Sequence, residues 1–495
     1  MRLLKTFRFV TALVLVGSAV SCNSLLEVEA KNNITGDIFK NEASIQQALN
    51  GAYFNLAGIY DGGDGGELLG GDFLMIPSLL IFESIFEVSW DDINGATYSD
   101  FTERNILATN VRVENNWRRA YETINTLNSI LLNIDNVEDA GARDRIAGEA
   151  LAMRGILYFE MVRLWGPQYS TVGAGTTDQL AIPLLLEPVE APGDAPARNT
   201  VGEVYAQVIE DLTEAAAFLE PLGTNGTSLS YYTCEGYLMR VAMQTGNFAD
   251  AIEHADNILN AGEFSLATTP QDAFNNTMNS TEDIFAIQQN AAYNAGNIST
   301  GTGLVNFYSS LNGQGLGAMR VSPFYLNNLF GDFDYSPEFS ENDLRGTVDT
   351  GVGSSSTADN ISAAFYTNLL NDITVSPSKY MANDRVIPII RLAEVILSRA
   401  EARAFLSPVT VDLVALDDYN DIRERAGLTR LDASEFFIGI DLYDSILVER
   451  RREFLYEGIL YHDMKRRNES INGVPLSDPR FILPIPQSEL NAGME

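Results

Sequence analysis

Apolar residues at helical spacing dominate both ends of this chain, and this periodicity restricts the fold more than any other feature of the sequence. Residues 114–134 and 139–165 are predicted to form two long helices joined by a short turn, which makes them antiparallel neighbours. Helical spacing returns in residues 388–405, 411–426 and 441–467. The pattern predicts a mostly α-helical chain whose helices pack in pairs.

A further helix pair, residues 231–245 and 249–260, indicates how these helices are arranged. Its short turn and the following Ala251, Ala255 and Leu259 resemble a tetratricopeptide repeat, in which small residues let paired helices approach closely. One such repeat cannot bury its own apolar face, so several stacked units are expected. The sequence therefore predicts a tetratricopeptide-like helical-repeat scaffold.

Two irregular stretches interrupt the helical pattern. Residues 60–105 include a run of glycines, and residues 264–387 are rich in Asn, Ser, Thr and Gly with Tyr and Phe interspersed. Long irregular segments inside a compact protein are usually functional. We therefore predict a helical scaffold at 41–263 with a loop insertion at 60–105, a variable loop-rich ligand-side region at 264–387, and C-terminal helical repeats and tail at 388–495.

Residues 1–21 have the pattern of an export signal, because basic residues precede a short apolar run that ends in small residues. The run is too short to span a bilayer. Its ending, Ala19-Val20-Ser21-Cys22, resembles a bacterial lipobox, in which the Cys becomes the acylated first residue. We predict a lipid anchor on Cys22, a tether at 22–40 and an extracytoplasmic body. A cleaved signal followed by an incidental Cys is the alternative.

The charge of the chain excludes one class of partner. There are 67 acidic and 32 basic residues, which gives a formal net charge of −35. Nucleic-acid binding needs clustered Lys and Arg, so no nucleic-acid partner is expected. Beyond Cys22 the sequence has only Cys234, which lies in an apolar helical stretch and is predicted to be an inert buried thiol.

The sequence contains no recognisable catalytic or metal-binding motif, so no catalytic residue, metal or cofactor is predicted. The two histidines, His254 and His462, are read as solvated or structural, because neither accompanies a nucleophile motif. Arg450 and Glu457 interrupt an apolar helical stripe, which predicts a paired structural clamp between helices. With so many Asp and Glu residues, a glycosidase carboxylate pair stays open.

Several local sequences occur in the order typical of the SusD/RagB family of outer-membrane lipoproteins from Bacteroidota, which this chain resembles. These segments are Asn116-Trp117-Arg118-Arg119-Ala120-Tyr121, Glu149-Ala150-Leu151-Ala152-Met153-Arg154, Arg163-Leu164-Trp165-Gly166, Arg391-Leu392-Ala393-Glu394-Val395, Asn420-Asp421-Ile422-Arg423, Glu449-Arg450-Arg451-Arg452-Glu453-Phe454 and Leu483-Pro484-Ile485-Pro486. Together with Cys22 they extend over nearly the whole chain after the export signal.

The resemblance implies a cell-surface protein that captures a nutrient oligomer, most often an oligosaccharide, and acts as the lid of a SusC-like TonB-dependent transporter. Members of the family bind their ligand without cutting it. The implied site of action is the outer membrane, where the lipid anchor holds the protein.

Sugar receptors tend to offer exposed aromatic plates flanked by polar side chains, and both irregular stretches contain such mixtures. Trp90 is the leading aromatic candidate, whereas Trp117 and Trp165 belong to the predicted helices and are expected in the core. The predicted ligand-binding residues are Asp72, Trp90, Asn94, Tyr98, Tyr293, Asn297, Tyr308 and Arg320.

Two other functions stay open at this stage. An extracytoplasmic repeat scaffold that assembles envelope proteins would present an apolar groove along its repeats. A glycan hydrolase would present two facing carboxylates in a deep cleft. Exposed aromatic side chains beside the repeats would favour glycan capture instead.

Overall fold

A computed structural model describes residues 39–59, 65–81, 84–86, 98–171, 175–189, 196–220, 227–295, 303–309, 319–321, 343–345, 365–368 and 374–494. The helices are α1 (Glu42–Leu56), α2 (Asp72–Leu80), α3 (Tyr98–Glu103), α4 (Val111–Leu132), α5 (Ala140–Trp165), α6 (Val201–Leu219), α7 (Tyr231–Thr245), α8 (Phe248–Leu259), α9 (Leu304–Tyr308), α10 (Leu392–Leu406), α11 (Leu413–Arg425), α12 (Gly439–Glu453), α13 (Ile459–Arg466) and α14 (Gln487–Asn491). The strands are β1 (Ser84–Phe86), β2 (Asp283–Ile287), β3 (Met319–Val321), β4 (Phe365–Asn368), β5 (Thr374–Pro377), β6 (Ile387–Arg391), β7 (Ser470–Ile471) and β8 (Val474–Pro475).

The long helices form a stack in which each packs on the next. Helix α1 packs on α4, α4 pairs with α5, and the order continues through α6, α7, α8 and α10 to α11 and α12. Close approach of α5 and α6 depends on two glycines of α5. A Cβ at Gly148 would lie 2.8 Å from Leu219 Cγ, and one at Gly155 would lie 3.1 Å from Leu212 Cγ. The fold is thus a mostly α-helical repeat scaffold, as predicted.

Local capping chemistry fixes where these helices begin. Asn41 and Asp139 each accept a hydrogen bond from a main-chain N–H of the first turn, at 3.0 and 2.8 Å. The capping-box spacing of Thr200 and Glu203 predicts a helix start, and both reciprocal bonds are present. In the α7–α8 hairpin, Gly246 ends α7 with a φ of 78°, a left-handed conformation that favours glycine.

Two predicted helices are wrong in part. Residues 388–391 belong to strand β6, which pairs antiparallel with β2, and the helix begins only at Leu392. A short apolar run such as Ile387-Pro388-Ile389-Ile390 satisfies a strand and a helix equally well, so periodicity alone cannot separate them. The single helix predicted over 441–467 is broken between α12 and α13. Gly458 there has a φ of 73° and lies against the main chain of α2.

The described parts of the irregular stretches contain more regular structure than predicted. Helix α2 lies inside the predicted loop insertion, and all of its residues are buried. Strand β1 pairs antiparallel with β3, and β4 pairs with β5. A helix that is apolar on every side has no amphipathic signal, which explains why α2 was missed.

A group of buried charged side chains, which we name the buried charge cluster, joins β2, β6 and α12. Its members are Glu282, Asp343, Arg345, Lys379, Arg391, Arg425, Glu449, Glu453 and Glu457. Glu457 pairs with Lys379 Nζ at 2.5 Å and with Arg391 Nε at 2.8 Å. Nearby, Arg450 pairs with Asp463 at 2.8 Å and with Glu401 at 3.1 Å. The prediction that Arg450 and Glu457 are paired structural residues is confirmed.

Three further observations concern the described residues as a group. The free thiol of Cys234 is buried, as predicted. No helix in the described ranges is long and apolar enough to cross a membrane. Within the same ranges, His, Cys, Asp and Glu side chains form no group suited to holding a metal ion.

Candidate functional site

A groove of about 690 Å³ opens between α1, the first turns of α5 and the end of β2. Its size falls within the usual range for ligand sites. The lining residues are Gln46, Asn50, Tyr53, Phe54, Ala57 and Ile59 from α1 and its exit, Arg145 and Glu149 from α5, Thr227 and Ser228 before α7, and Phe285, Ala286, Ile287, Gln288, Asn290 and Tyr293 from β2 and the following turn. We call it the α1–β2 groove.

Two exposed aromatic rings meet in the α1–β2 groove. The Phe54 side chain is 42% exposed and that of Tyr293 is 57% exposed. Their ring centroids lie 5.6 Å apart at an interplanar angle of 85°, an edge-to-face arrangement. Helix α1 buries one stripe, which includes Leu49 and Leu56, in the core, and Phe54 lies outside this stripe and faces the groove. The pair presents an exposed apolar surface to the groove.

The turn that carries Tyr293 is held by its own hydrogen bonds. Asn290 N–H donates to the Tyr293 carbonyl at 2.9 Å. The Asn290 side-chain oxygen accepts from the N–H groups of Ala292 and Tyr293, at 2.9 and 3.0 Å. Ala295 N–H donates to the Gln289 side chain at 2.9 Å. Because the turn is fixed before any ligand arrives, binding need not order it.

The polar wall of the groove is a connected network. Arg145 donates to Glu149 Oε1 at 2.9 Å and to Gln46 Oε1 at 2.5 Å. The Tyr53 hydroxyl donates to Glu149 Oε2 at 2.6 Å and accepts from Leu229 N–H at 2.9 Å. Burial, followed by the adjacent Glu149 carboxylate, raises the pKa of Tyr53 well above its ordinary value. Tyr53 therefore stays a neutral donor, and both Glu149 oxygens are occupied.

This arrangement gives no support to hydrolysis. Glycosidases use two carboxyl groups, about 5–5.5 Å apart in retaining enzymes and about 6.5–9.5 Å apart in inverting ones. Among the described residues that line the groove, Glu149 is the one carboxylate. Its two oxygens bond to Arg145 and Tyr53. No second acid lines the described part of the groove.

Of the predicted ligand residues with described side chains, Tyr293 lies in the groove and three others are internal. Asp72 is fully buried, and its Oδ2 accepts from Arg112 Nε at 2.8 Å. The Tyr98 hydroxyl donates to Asp72 Oδ1 at 3.0 Å, and its ring contacts Phe307. Tyr308 is also fully buried. The structure therefore brings Asp72 and Tyr98 together, away from the lining of the groove.

The remaining predictions fall elsewhere. Cys22, Trp90, Asn94 and Asn297 lie outside the described residues. Arg320 has a described main chain, which pairs with Ile85 between β3 and β1, but its side chain is not described. Their roles stay predictions.

Residues from α1 and α5 were not predicted as part of a site. Phe54 gave a usable signal, because it is a large apolar residue outside the apolar stripe of an amphipathic helix. Gln46, Asn50 and Arg145 gave none, since polar residues on an exposed helix face are ordinary. Their role follows only from the tertiary contact between α1 and the turn after β2.

Two family descriptions match separate parts of the chain. Residues 334–475 match the SusD family. Residues 82–225 match a SusD-like family described as starch-binding and associating with the outer membrane. The two matches together cover more than half of the chain.

Curated relatives match over most of the chain. SusD-like protein P2 of Formosa agariphila is 25% identical over 524 residues, which covers 97% of this chain and 96% of that protein. A SusD-like protein of Bacteroides ovatus is 25% identical over 396 residues, which covers 74% of this chain and 68% of that protein.

Solved structures share the fold. A SusD superfamily protein from Bacteroides thetaiotaomicron has a TM-score of 0.73 at 22% identity, and the match covers 91% of this chain and 98% of that one. A SusD-like carbohydrate binding protein from Bacteroides vulgatus has a TM-score of 0.61 at 21% identity, with 87% and 84% covered. The ordered motifs, both family matches and the shared fold agree that this chain belongs to the SusD/RagB family.

Proposed function

We propose that this protein binds an oligosaccharide in the α1–β2 groove and holds it without cleaving it. The observation that carries the proposal is the exposed Phe54–Tyr293 pair, in which Phe54 lies on helix α1, Tyr293 lies on a hydrogen-bonded turn, and side-chain amides flank both rings. The same ligand class is supported by the family that residues 82–225 match, which is described as starch-binding, and by the similar carbohydrate binding protein from Bacteroides vulgatus.

The proposal extends to where the protein acts. Family membership supports attachment to the outer membrane through an acylated Cys22, with the body on the cell surface. It also supports a role as the lid of a SusC-like TonB-dependent transporter that imports the captured glycan. Tagged protein, isolated from native outer membranes, should carry a TonB-dependent transporter that mass spectrometry identifies. If the tagged protein is isolated from gently solubilised membranes without any such transporter, the lid role is refuted.

Binding is tested by calorimetry and affinity electrophoresis of the mature protein against a panel of polysaccharides. Tyr293→Ala and Phe54→Ala should each weaken binding at least about 10-fold, equivalent to about 1.4 kcal/mol, because each removes part of the apolar surface. Phe437→Ala is the matched control, since Phe437 is 94% exposed and does not line the groove. Equal affinities for Tyr293→Ala and Phe437→Ala would place binding elsewhere.

Turnover is measured on the same material. Incubation with any bound polysaccharide should release no reducing ends above the level of a protein-free control. Steady release that Glu149→Gln abolishes would overturn the non-catalytic proposal in favour of hydrolysis.

A further inference from the structure

The ionised side chains that line the α1–β2 groove cancel each other. Among the described lining residues these are Arg145 and Glu149, which pair at 2.9 Å. The second terminal nitrogen of Arg145 donates to Gln46, so both terminal nitrogens of Arg145 already have a partner in the wall of the groove. A ligand that enters the groove meets no unpaired cation from these residues.

The polar groups on the rim suit hydroxyls better than they suit charges. Asn50, Gln288 and Asn290 are exposed and line the groove. Asn50 Oδ1 and Asn290 Oδ1 already accept hydrogen bonds within the protein, and Gln288 Nε2 already donates two. The Nδ2 groups of Asn50 and Asn290 and the Oε1 atom of Gln288 therefore offer donors and an acceptor to a ligand, and a sugar hydroxyl can both donate and accept. Carboxylate and sulfate groups only accept, and their strong partners are the cationic forks of Arg or the ammonium of Lys.

The sequence around both aromatic rings is depleted of cations. Residues 41–103, which supply Phe54, contain no Lys or Arg. Residues 241–378, which supply Tyr293, contain only Arg320 and Arg345. Arg345 is buried and pairs with Asp343 at 2.9 Å. The same two stretches contain 26 Asp and Glu residues, within a chain of net charge −35. The negative electrostatic potential of these acidic residues repels a polyanion before it contacts the protein.

From these observations we infer that the α1–β2 groove selects uncharged glycans and discriminates against polysaccharides that carry uronate or sulfate groups. The inference rests on the proposed function, because it names the chemical class of glycan that the same groove binds. Stacking on Phe54 and Tyr293 supplies the attraction, and the amides supply orientation. Because Arg145 is already paired with Glu149, an anionic ring would be costly to desolvate, since its charge would have no unpaired cation as a partner.

The test uses pairs of polymers that share a backbone and differ in charge. Suitable pairs are hydroxyethyl cellulose with carboxymethyl cellulose, dextran with dextran sulfate, and arabinoxylan with glucuronoxylan. The mature protein and its Tyr293→Ala variant are run in affinity gels that contain each polymer, at about 0.05 and 0.15 M salt, where the Debye length changes appreciably. Phe437→Ala serves as the variant that leaves the groove intact.

We expect at least one neutral polymer to bind at least about 10-fold more tightly than its charged counterpart. That binding should be weakened about 10-fold by Tyr293→Ala and should stay unchanged by salt. Tighter binding of the charged member, again lost in Tyr293→Ala, would overturn this inference and leave the proposed function standing. If the Phe437→Ala and Tyr293→Ala variants bind every polymer equally, or if none binds, the proposed function itself fails.

Discussion

Replacement of Arg391 by methionine tests how much of the stability of this fold depends on the buried charge cluster. The Arg391 side chain is 1% exposed and pairs with Glu282 at 3.2 Å, Glu453 at 2.7 Å and Glu457 at 2.8 Å. Methionine keeps much of the side-chain volume but removes the cation, which leaves these buried carboxylates short of a partner. Breaking one buried pair costs about 3–5 kcal/mol. We expect Arg391→Met to lower the free energy of unfolding at pH 7 by at least that amount.

A matched control separates burial from the number of ion pairs. Arg430 also faces three carboxylates, those of Asp417, Asp421 and Glu424, but its side chain is 37% exposed. Exposed pairs contribute about 0–1 kcal/mol, so Arg430→Met should cost no more than about 1 kcal/mol. Urea unfolding followed by circular dichroism measures both variants. Equal losses for the two substitutions would refute the reasoning that burial decides the cost.

The pH dependence identifies charge as the cause. Burial opposes ionisation of Glu457, but Arg391 and Lys379 outweigh it and hold the Glu457 pKa below its ordinary value. A carboxylate whose pKa is lowered in the folded state contributes stability above its unfolded pKa and loses it as the pH falls. The gap between wild type and Arg391→Met should therefore be full at pH 7 and shrink below about pH 4.3. A gap that stays constant down to about pH 3.5 would attribute the loss to packing.

Three other predictions follow from the described residues and the sequence. Gly458 and Gly246 both have positive φ, but a Cβ at Gly458 would lie 2.8 Å from the main chain of α2, whereas one at Gly246 would meet open space. Gly246→Ala should cost only the backbone strain of about 1–2 kcal/mol. Gly458→Ala should therefore lower the melting temperature clearly more than Gly246→Ala. Burial, followed by nearby cations, holds the pKa of His462 in the folded protein well below 6.5. Below about pH 6.5 this histidine binds a proton only in the unfolded chain, so the free energy of unfolding should fall by at most about 1.4 kcal/mol for each pH unit of acidification. Urea titrations of His462→Phe should show a flatter dependence of stability on pH. Cys22→Ser should abolish incorporation of labelled palmitate and release the protein from the membrane fraction, and retention of both label and membrane would exclude Cys22 as the anchor.

Much of the scaffold could be predicted because its signals are local. Caps such as Asp139 and Thr200 act within one helical turn, and the spacing of apolar residues reports directly which face of a long helix is buried. That β6 is a strand could not be predicted from its own residues. Its residues form a short apolar run, and only pairing with β2, far away in sequence, decides that they are a strand. Gly458 indicated the break between α12 and α13, because a glycine inside a helical pattern weakens the prediction of a continuous helix.

The candidate site was harder to predict than the scaffold, since it depends on tertiary contacts. Tyr293 was found as an aromatic residue in an irregular polar stretch, and it does lie in the groove. Asp72 and Tyr98 satisfied the same composition rule but bond to each other inside the protein. Composition cannot show whether a polar–aromatic pair faces solvent or completes a buried network. Phe54, more than two hundred residues from Tyr293, joins the site only because α1 packs beside the end of β2.

The buried charge cluster and the groove are connected through one short strand. Glu282, immediately before β2, accepts hydrogen bonds from Arg391 and Arg425, and the strand then leads to the turn that carries Tyr293. A five-residue strand spans about 17 Å, so the ionic anchor just before β2 and the turn that follows β2 lie at opposite ends of this strand. Buried ion pairs demand specific geometry, because a small displacement leaves a charge without compensation. The cluster thereby fixes the position of β2 relative to the helical stack, and the turn that carries Tyr293 begins from a rigid strand.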